Sequence, residues 1–197
     1  MSGIGVIVLA AGGSTRMGRP KQLLELAGQS LLRRAARSAI DSGCVPVIVV
    51  LGCEADAMAG ELGDLPASMV VNSGWQRGIG SSIRTGVDWL VKNSPGTEGV
   101  VIMLCDQPLI DSQVIRRLID AHRASGKVIA VSEYSGTSGP PVLVSGSSFR
   151  RLLTLPDGQG AKVLWADRQE EVCFVACEEG ALDLDTSAEY DRTAREF

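Results

Sequence analysis

Two cations five positions apart, Arg16 and Lys21, follow a run of small residues, Ala10, Ala11, Gly12 and Gly13, placed directly behind the apolar stretch IGVIVL. Small residues let a backbone approach a ligand, and a nearby arginine and lysine can neutralise phosphate charge. The spacing matches neither familiar phosphate loop. A dinucleotide turn needs G-x-G-x-x-G opening a helix at once, whereas four residues separate Gly13 from Gly18. A P-loop needs lysine and a hydroxyl residue after its last glycine, where this chain has Arg19 and Pro20, and proline prevents a helix from starting there in the P-loop manner.

A second group of candidates is acidic. Asp106 ends a run of apolar residues, and a carboxylate at the tip of a central strand is costly unless it is paired or holds a cation, so it is a candidate magnesium ligand. Asp183 and Asp185, in LDLDTSAEY, alternate along a stretch read as extended; on that reading they face opposite ways and one of them can complete the site. Between these groups, NSGWQRGIGSSIRTG (72–86) is a polar, glycine-rich approach to a helix. Its amides, with Asn72, Gly80, Ser81 and Ser82, suit a nucleobase edge or an anion. Trp75 fits either a ring-stacking role or a hydrophobic plug, and Arg77 and Arg84 either ligand contacts or plain surface. The single histidine, His122, has no serine or cysteine partner and is assigned no role. Five cysteines without a CxxC pair suit a reducing compartment, and Cys173 and Cys177 read as small buried hydrophobes.

Positioning these groups requires a scaffold, and the periodicity supplies one. Valine- and isoleucine-rich runs at 5–10, 45–51, 68–72, 99–105 and 127–132 alternate with segments of helical period, the pattern of a mostly parallel sheet covered on both faces. Ser30 can cap a helix with Leu31, Leu32, Ala35, Ala36, Ala39 and Ile40 on one stripe, ended by Gly43. Ser81 or Ser82 is expected to open a second helix, and Asp111 or Ser112 a third. Past residue 133 the pattern weakens: EYSGTSGPPVLVSG reads as a loop leading to a short strand, SSFRRLLTL and GQGAKVLWADR as short helices, EVCFVAC as a strand, and the end as a helix capped by Thr186 or Ser187. In such sheets ligands bind beyond the carboxyl ends of the strands, where strand order reverses.

Composition narrows the function classes. The 197 residues are 45% apolar and 21% charged, the balance of a folded globular chain expected to form one domain, with a nucleotide-binding half (1–110) and an acceptor-binding half (111–197). A net charge of −4 argues against adhesion to nucleic acid or acidic lipid. No apolar run approaches the roughly 20 residues that span a bilayer, and the N-terminus lacks a basic signal region, so the expected location is cytoplasmic and away from membranes.

Several of these motifs together carry a resemblance. LAAGGSTRMGRPKQLLELAGQSLL resembles the N-terminal signature of the MobA-like nucleotidyltransferases that make molybdenum cofactor dinucleotides. RPKQ, NSGWQRGIGSSIRTGV and LCDQPLI look most like the molybdenum cofactor cytidylyltransferase group, and LDLDTSAEY is similar to that group's ending. The resemblance implies a three-layer, Rossmann-like nucleotidyltransferase fold and magnesium-dependent transfer of CMP from CTP to molybdopterin or molybdenum cofactor. Guanylyl transfer from GTP, another phosphorylated acceptor such as methylerythritol phosphate, and a non-catalytic cofactor chaperone are the alternatives, and a transient contact with a molybdoenzyme is expected. It further implies Arg16, Lys21 and Asp106 as catalytic residues, Leu9, Ala10, Ala11, Gly12, Gly13, Asn72, Gly80, Ser81 and Ser82 around the nucleotide with those two cations, and Asp185 rather than Asp183 as the second metal ligand. Two departures fall in the acceptor half: GPPV (139–142) where the group often has GHPV, and PDGQGAK (156–162) where it has GDxGAR.

Overall fold

A computed structural model describes residues 3–15 and 17–197. Arg16 therefore lies outside the described residues. Seven strands form one sheet in the order β5-β4-β1-β6-β8-β7-β9. They are β1 (Ile4–Leu9), β4 (Val47–Leu51), β5 (Ser68–Val71), β6 (Gly99–Leu104), β7 (Ile129–Tyr134), β8 (Thr137–Ser145) and β9 (Val172–Ala176), while β2 (Glu25–Leu26) and β3 (Gln29–Ser30) make a separate small hairpin. β1, β4, β5 and β6 run parallel, β8 is antiparallel to both β6 and β7, and β9 is again parallel to β7. The architecture is three-layer α/β with a mostly parallel sheet.

Side-chain alternation in the central strands divides the core. Val6, Val8 and Ala10 pack with Val101, Met103 and Cys105 beneath α1 (Leu31–Asp41) and α4 (Ser112–Ser125). Ile7, Leu9 and Ala11 pack with Val100, Ile102 and α3 (Ile79–Asn93) on the opposite face. Asp106 continues the second set, which aims its carboxylate at the α3 side. Both faces being apolar explains why these strands read as continuous hydrophobic runs.

The helix signals hold at three ends. The Ser30 side chain accepts from the Arg33 N–H, Asp111 accepts from Gln113 and Val114, and Thr186 closes a capping box with Glu189 at the start of α6 (Ser187–Thr193). The second helix differs from expectation. It begins at Ile79 rather than at either serine, because the Asp157 carbonyl accepts from Gly80 N and the Gly78 carbonyl from Ser81 N. A side chain at Gly80 would run into the Pro156 carbonyl, so glycine is what lets the 156–159 segment seat on the helix.

The C-terminal third departs most. The stretch read as a loop is a hairpin in which β8 runs for nine residues through Pro140 and Pro141. Proline is compatible here because β8 meets β6 only from Val142 onward, so neither proline is asked for a ladder donor to β6. GQGAKVLWADR forms only a 3-10 turn (Ala161–Leu164). Short α2 (Ala55–Gly60) and α5 (Phe149–Leu153) complete the helices, α5 fulfilling the reading of SSFRRLLTL. Residues 182–186 have no strand, so the alternation expected for Asp183 and Asp185 does not apply. No helix is long and apolar enough to cross a membrane among the described residues.

α3 lies close to the sheet at Gly86, where an added Cβ would sit 2.9 Å from Ile7 Cγ2 and 3.0 Å from Val50 Cγ2. Replacing Gly86 with valine is expected to lower stability by about 1–3 kcal/mol, the usual cost of overpacking, measured as a reduced urea midpoint with an unchanged slope.

Candidate active site

The site opens at the carboxyl ends of β1 and β6, between which the strand order reverses. It begins with the segment after β1. Gln22, 1% exposed, donates its amide to the Ala10 carbonyl (3.0 Å) and the Gly12 carbonyl (2.6 Å) and accepts from the Ser14 hydroxyl (3.0 Å). Cys53 N donates to the Ala11 carbonyl at 3.2 Å. Three consecutive carbonyls are thus taken up inside the protein, and what the loop can offer a ligand is its N–H groups. The Trp75 ring packs against Gly13, within 2.8 Å of where a Cβ would stand.

The Ser14 hydroxyl also accepts from the backbone N–H of Lys21 at 3.0 Å, which anchors the lysine at the start of a 3-10 turn immediately after Pro20. From there the ammonium donates to Asp106 Oδ2 and, at 2.7 Å, to Asp185 Oδ1. The two carboxylates converge because the Leu184 N–H donates to the Asp106 carbonyl at 3.0 Å. Leu184 itself is buried in a small cluster with Met17, Leu24, Leu26 and Leu31, and Tyr190 donates to the Glu25 carbonyl. The β2–β3 hairpin and the start of α6 therefore seat Asp185 opposite Lys21.

Burial on its own would lower the Lys21 pKa and is the largest single influence. The charge of Asp106, its hydrogen bond and those from Asp185 together outweigh it, leaving the pKa above the ordinary 10.5. Asp183 is exposed at its outer side and does not bond Lys21 in the contacts seen. Burial of its carboxyl end and the charge of Asp106 raise its pKa, against a hydrogen bond from Gln107. Asp106 is only 9% exposed, and its Oδ1 is buried without a hydrogen-bond partner among the described residues. An acceptor in that state suits a cation. Among the described residues no group of three or more His, Cys, Asp or Glu side chains converges on one point. A magnesium ion held by Asp106 and Asp185 would complete its shell with water and phosphate oxygens, its common habit.

Three adjoining cavities surround this centre. One of about 350 Å³ is lined by Leu9, Ala10, Ala11, Gly12, Lys21, Ser82 and Asp106, with Trp75 and Gln76 at its side. A smaller one, about 170 Å³, lies between Gly12, Ser14, Lys21 and Asp185. The third, about 190 Å³, shares Leu9, Ile79 and Leu104 with the first and extends along Pro140, Val142, Ala161 and Trp165. Its wall is apolar. The Pro140 carbonyl is occupied by Gln107 and Tyr134 and the Pro141 carbonyl by Ser132, so GPPV presents little hydrogen-bonding capacity there.

The structure brings together Leu9, Ala10, Ala11, Gly12, Lys21, Ser82, Asp106 and Asp185. It turns others inward. Asn72 donates to the hydroxyls of Ser81 and Ser82, Ser81 donates to the Gly78 carbonyl, and Gly80 faces the 156–159 segment, so these three support the wall and line none of the three cavities. Arg84 is spent on Asp157 and the Leu155 carbonyl. Gln22 and Gln107 were not singled out by sequence. Gln107 donates to the Pro140 and Gly180 carbonyls, tying the chain after β6 to β8 and to the segment after β9. Each glutamine stands beside a charged residue that was singled out, but the backbone groups it serves are distant enough in sequence to leave no local signal.

The sequence model of the MobA-like NTP transferase domain matches residues 6–172. The chain is 35% identical over 142 residues to nicotine blue oxidoreductase of Paenarthrobacter nicotinovorans, covering 71% of this chain and 66% of that protein. It is 32% identical over 199 residues to the purine catabolism protein PucB of Bacillus subtilis (strain 168), covering 96% of this chain and 95% of that one. Among solved structures, the complex of Rv0371C with manganese from Mycobacterium tuberculosis H37Rv superposes with a TM-score of 0.78 at 30% identity, covering 98% of this chain and 99% of that chain.

Two outcomes test the geometry. Gln22→Leu leaves the Ala10 and Gly12 carbonyls without their donor and is expected to cost about 1–3 kcal/mol in urea unfolding. The second concerns pH. Because the folded pKa of Lys21 lies above its unfolded value, the stability it contributes is complete below 10.5 and is lost as pH rises through the folded value. The stability difference between wild type and Lys21→Met is therefore expected to stay level between about pH 6 and 9 and to shrink only at higher pH, as read from denaturant midpoints.

Proposed function

The chain belongs to the MobA-like NTP transferase family, and from that membership we propose that it transfers CMP from CTP to the phosphate of molybdopterin or its molybdenum form, with magnesium as its metal. The observation that carries this reading is the junction of Lys21 with Asp106 and Asp185 at the edge of a cavity floored by a small-residue loop. An acceptor phosphate is already an anionic nucleophile, so its oxygen can attack the α-phosphorus directly. A bond forms there as the bond to the bridging oxygen breaks, and pyrophosphate leaves in line. Such a reaction needs positioning and charge neutralisation rather than a general base.

In this assignment the N–H groups of residues 11–13, with Leu9, Ala10 and Ser82 lining the cavity, hold the base and ribose. Lys21 and Arg16 neutralise the triphosphate. Asp106 and Asp185 hold the metal, which when bound withdraws charge from the reacting phosphoryl group and the leaving pyrophosphate. The choice of CTP over GTP rests on the resemblance of the GRPKQ segment. A molybdoenzyme receiving the product, and a cytoplasmic setting for that handover, belong to the same proposal.

The apolar wall at Pro140, Val142 and Trp165 favours a second reading of the acceptor alone, in which the same transfer serves a different phosphorylated molecule. A pterin buried there would meet Ser138 and Lys162 as polar side chains, and each of its polar edges left without a partner would cost about 1–3 kcal/mol.

The test is pyrophosphate release with magnesium, each of the four NTPs, and molybdopterin or another phosphorylated acceptor. Release with CTP and molybdopterin supports the proposal, release with GTP alone overturns the base, and release only with another acceptor selects the second reading. Oxidation of NADH or NADPH without pyrophosphate release would move the chain to the chemistry its oxidoreductase relative is named for. Asp106→Asn is expected to lower kcat by about 10²-fold or more while circular dichroism shows a folded protein.

A further inference from the structure

Lys21 is bound to the same two carboxylates that are suited to hold the metal. Its ammonium spends two of its three donors on Asp106 Oδ2 and Asp185 Oδ1, and its side chain is 17% exposed. Its backbone is pinned by Ser14, and its neighbour Gln22 by three hydrogen bonds, so movement is confined to the four-carbon stem. The carboxylates are equally fixed, since the Leu184 N–H ties the segment of Asp185 to the Asp106 carbonyl.

Resting on the nucleotidyl-transfer reading, we propose that Lys21 is an internal cation that competes with the divalent ion for Asp106 and Asp185 and yields to it far more readily when a nucleotide triphosphate offers its ammonium another anion. A divalent ion takes carboxylate oxygens at about 2.0–2.1 Å, a position that an ammonium on the same oxygens blocks by contact and by charge. The two cations exclude one another. A triphosphate over the loop supplies the ammonium with new acceptors, and the stem can turn to them while its Cα stays in place. Metal and nucleotide consequently bind with positive coupling, and the protein alone holds the ion weakly.

Manganese binding to the nucleotide-free protein tests this, with free Mn²⁺ followed by electron paramagnetic resonance. Lys21→Met and Lys21→Gln are each expected to bind Mn²⁺ about tenfold tighter than wild type, within the range usual for coupled ligands. Adding Asp106→Asn to either is expected to abolish the gain. Variants that bind Mn²⁺ no tighter than wild type overturn the proposal. Wild-type protein provides a second measurement that needs no variant. Trace acetylation read by mass spectrometry is expected to leave Lys21 protected relative to Lys92, which is 69% exposed, until saturating Mn²⁺ releases it. Protection that persists at saturation also overturns it. Neither experiment contains a nucleotide, so the competition can stand or fall apart from pyrophosphate release, whose absence would sink the functional reading instead.

Discussion

Everything at the candidate active site depends on two carboxylates far apart in the chain being held side by side. Asp106 and Asp185 would repel one another, and bringing them together is tolerable only with a cation between them. In the structure the Lys21 ammonium fills that role. The same proximity is what the proposed divalent-ion site relies on. Structural stability and metal chemistry therefore draw on one arrangement of charge, and the lysine serving the first stands in the way of the second.

The scaffold meets this requirement by placing each partner on a different kind of support. Asp106 stands in the turn just past β6, in the middle of the sheet, where the Leu184 N–H bonds its carbonyl. Lys21 follows a loop whose shape is fixed from within by Gln22, since a buried glutamine satisfying two carbonyls tolerates little displacement. Asp185 is carried by an irregular segment without ladder hydrogen bonds. A leucine cluster and one backbone bond to residue 106 hold it in place instead.

The surrounding walls have a division of labour that follows from their hydrogen bonding. Residues 10–12 have their carbonyls engaged, so the loop suits ligands rich in acceptors. At the N-terminus of α3 the Gly80 and Ser81 N–H groups are taken by the Asp157 and Gly78 carbonyls, and Arg84 is engaged by Asp157 and the Leu155 carbonyl. Across the cavity, the proline-bearing strand contributes shape and apolar surface. Both cavities are thus lined mainly by apolar surface, and the charged groups gather at one edge, where Lys21, Asp106 and Asp185 meet.

Much of this was legible in the residues. Alternating apolar runs gave the sheet, capping residues gave three helix starts, Asp106 stood out because a carboxylate is expensive at a strand tip, Lys21 as a cation beside a small-residue loop, and Asp185 through the family resemblance. Periodicity is a local property, and a charge beside an apolar run is visible without knowing its partner. The nine-residue β8 was hidden, since prolines usually end strands, and these two fit because the β6 ladder covers only Val142–Ser145 and the register with β7 shifts across them. Gln22, Gln107 and the inward turn of Gly80 and Ser81 were hidden as well, their partners being backbone groups brought near by folding. The sequence by itself determined the elements and the chemical types at the site. The tertiary structure decided which of those groups share a cation, because electrostatic energy depends on separation in space and chain order does not specify it.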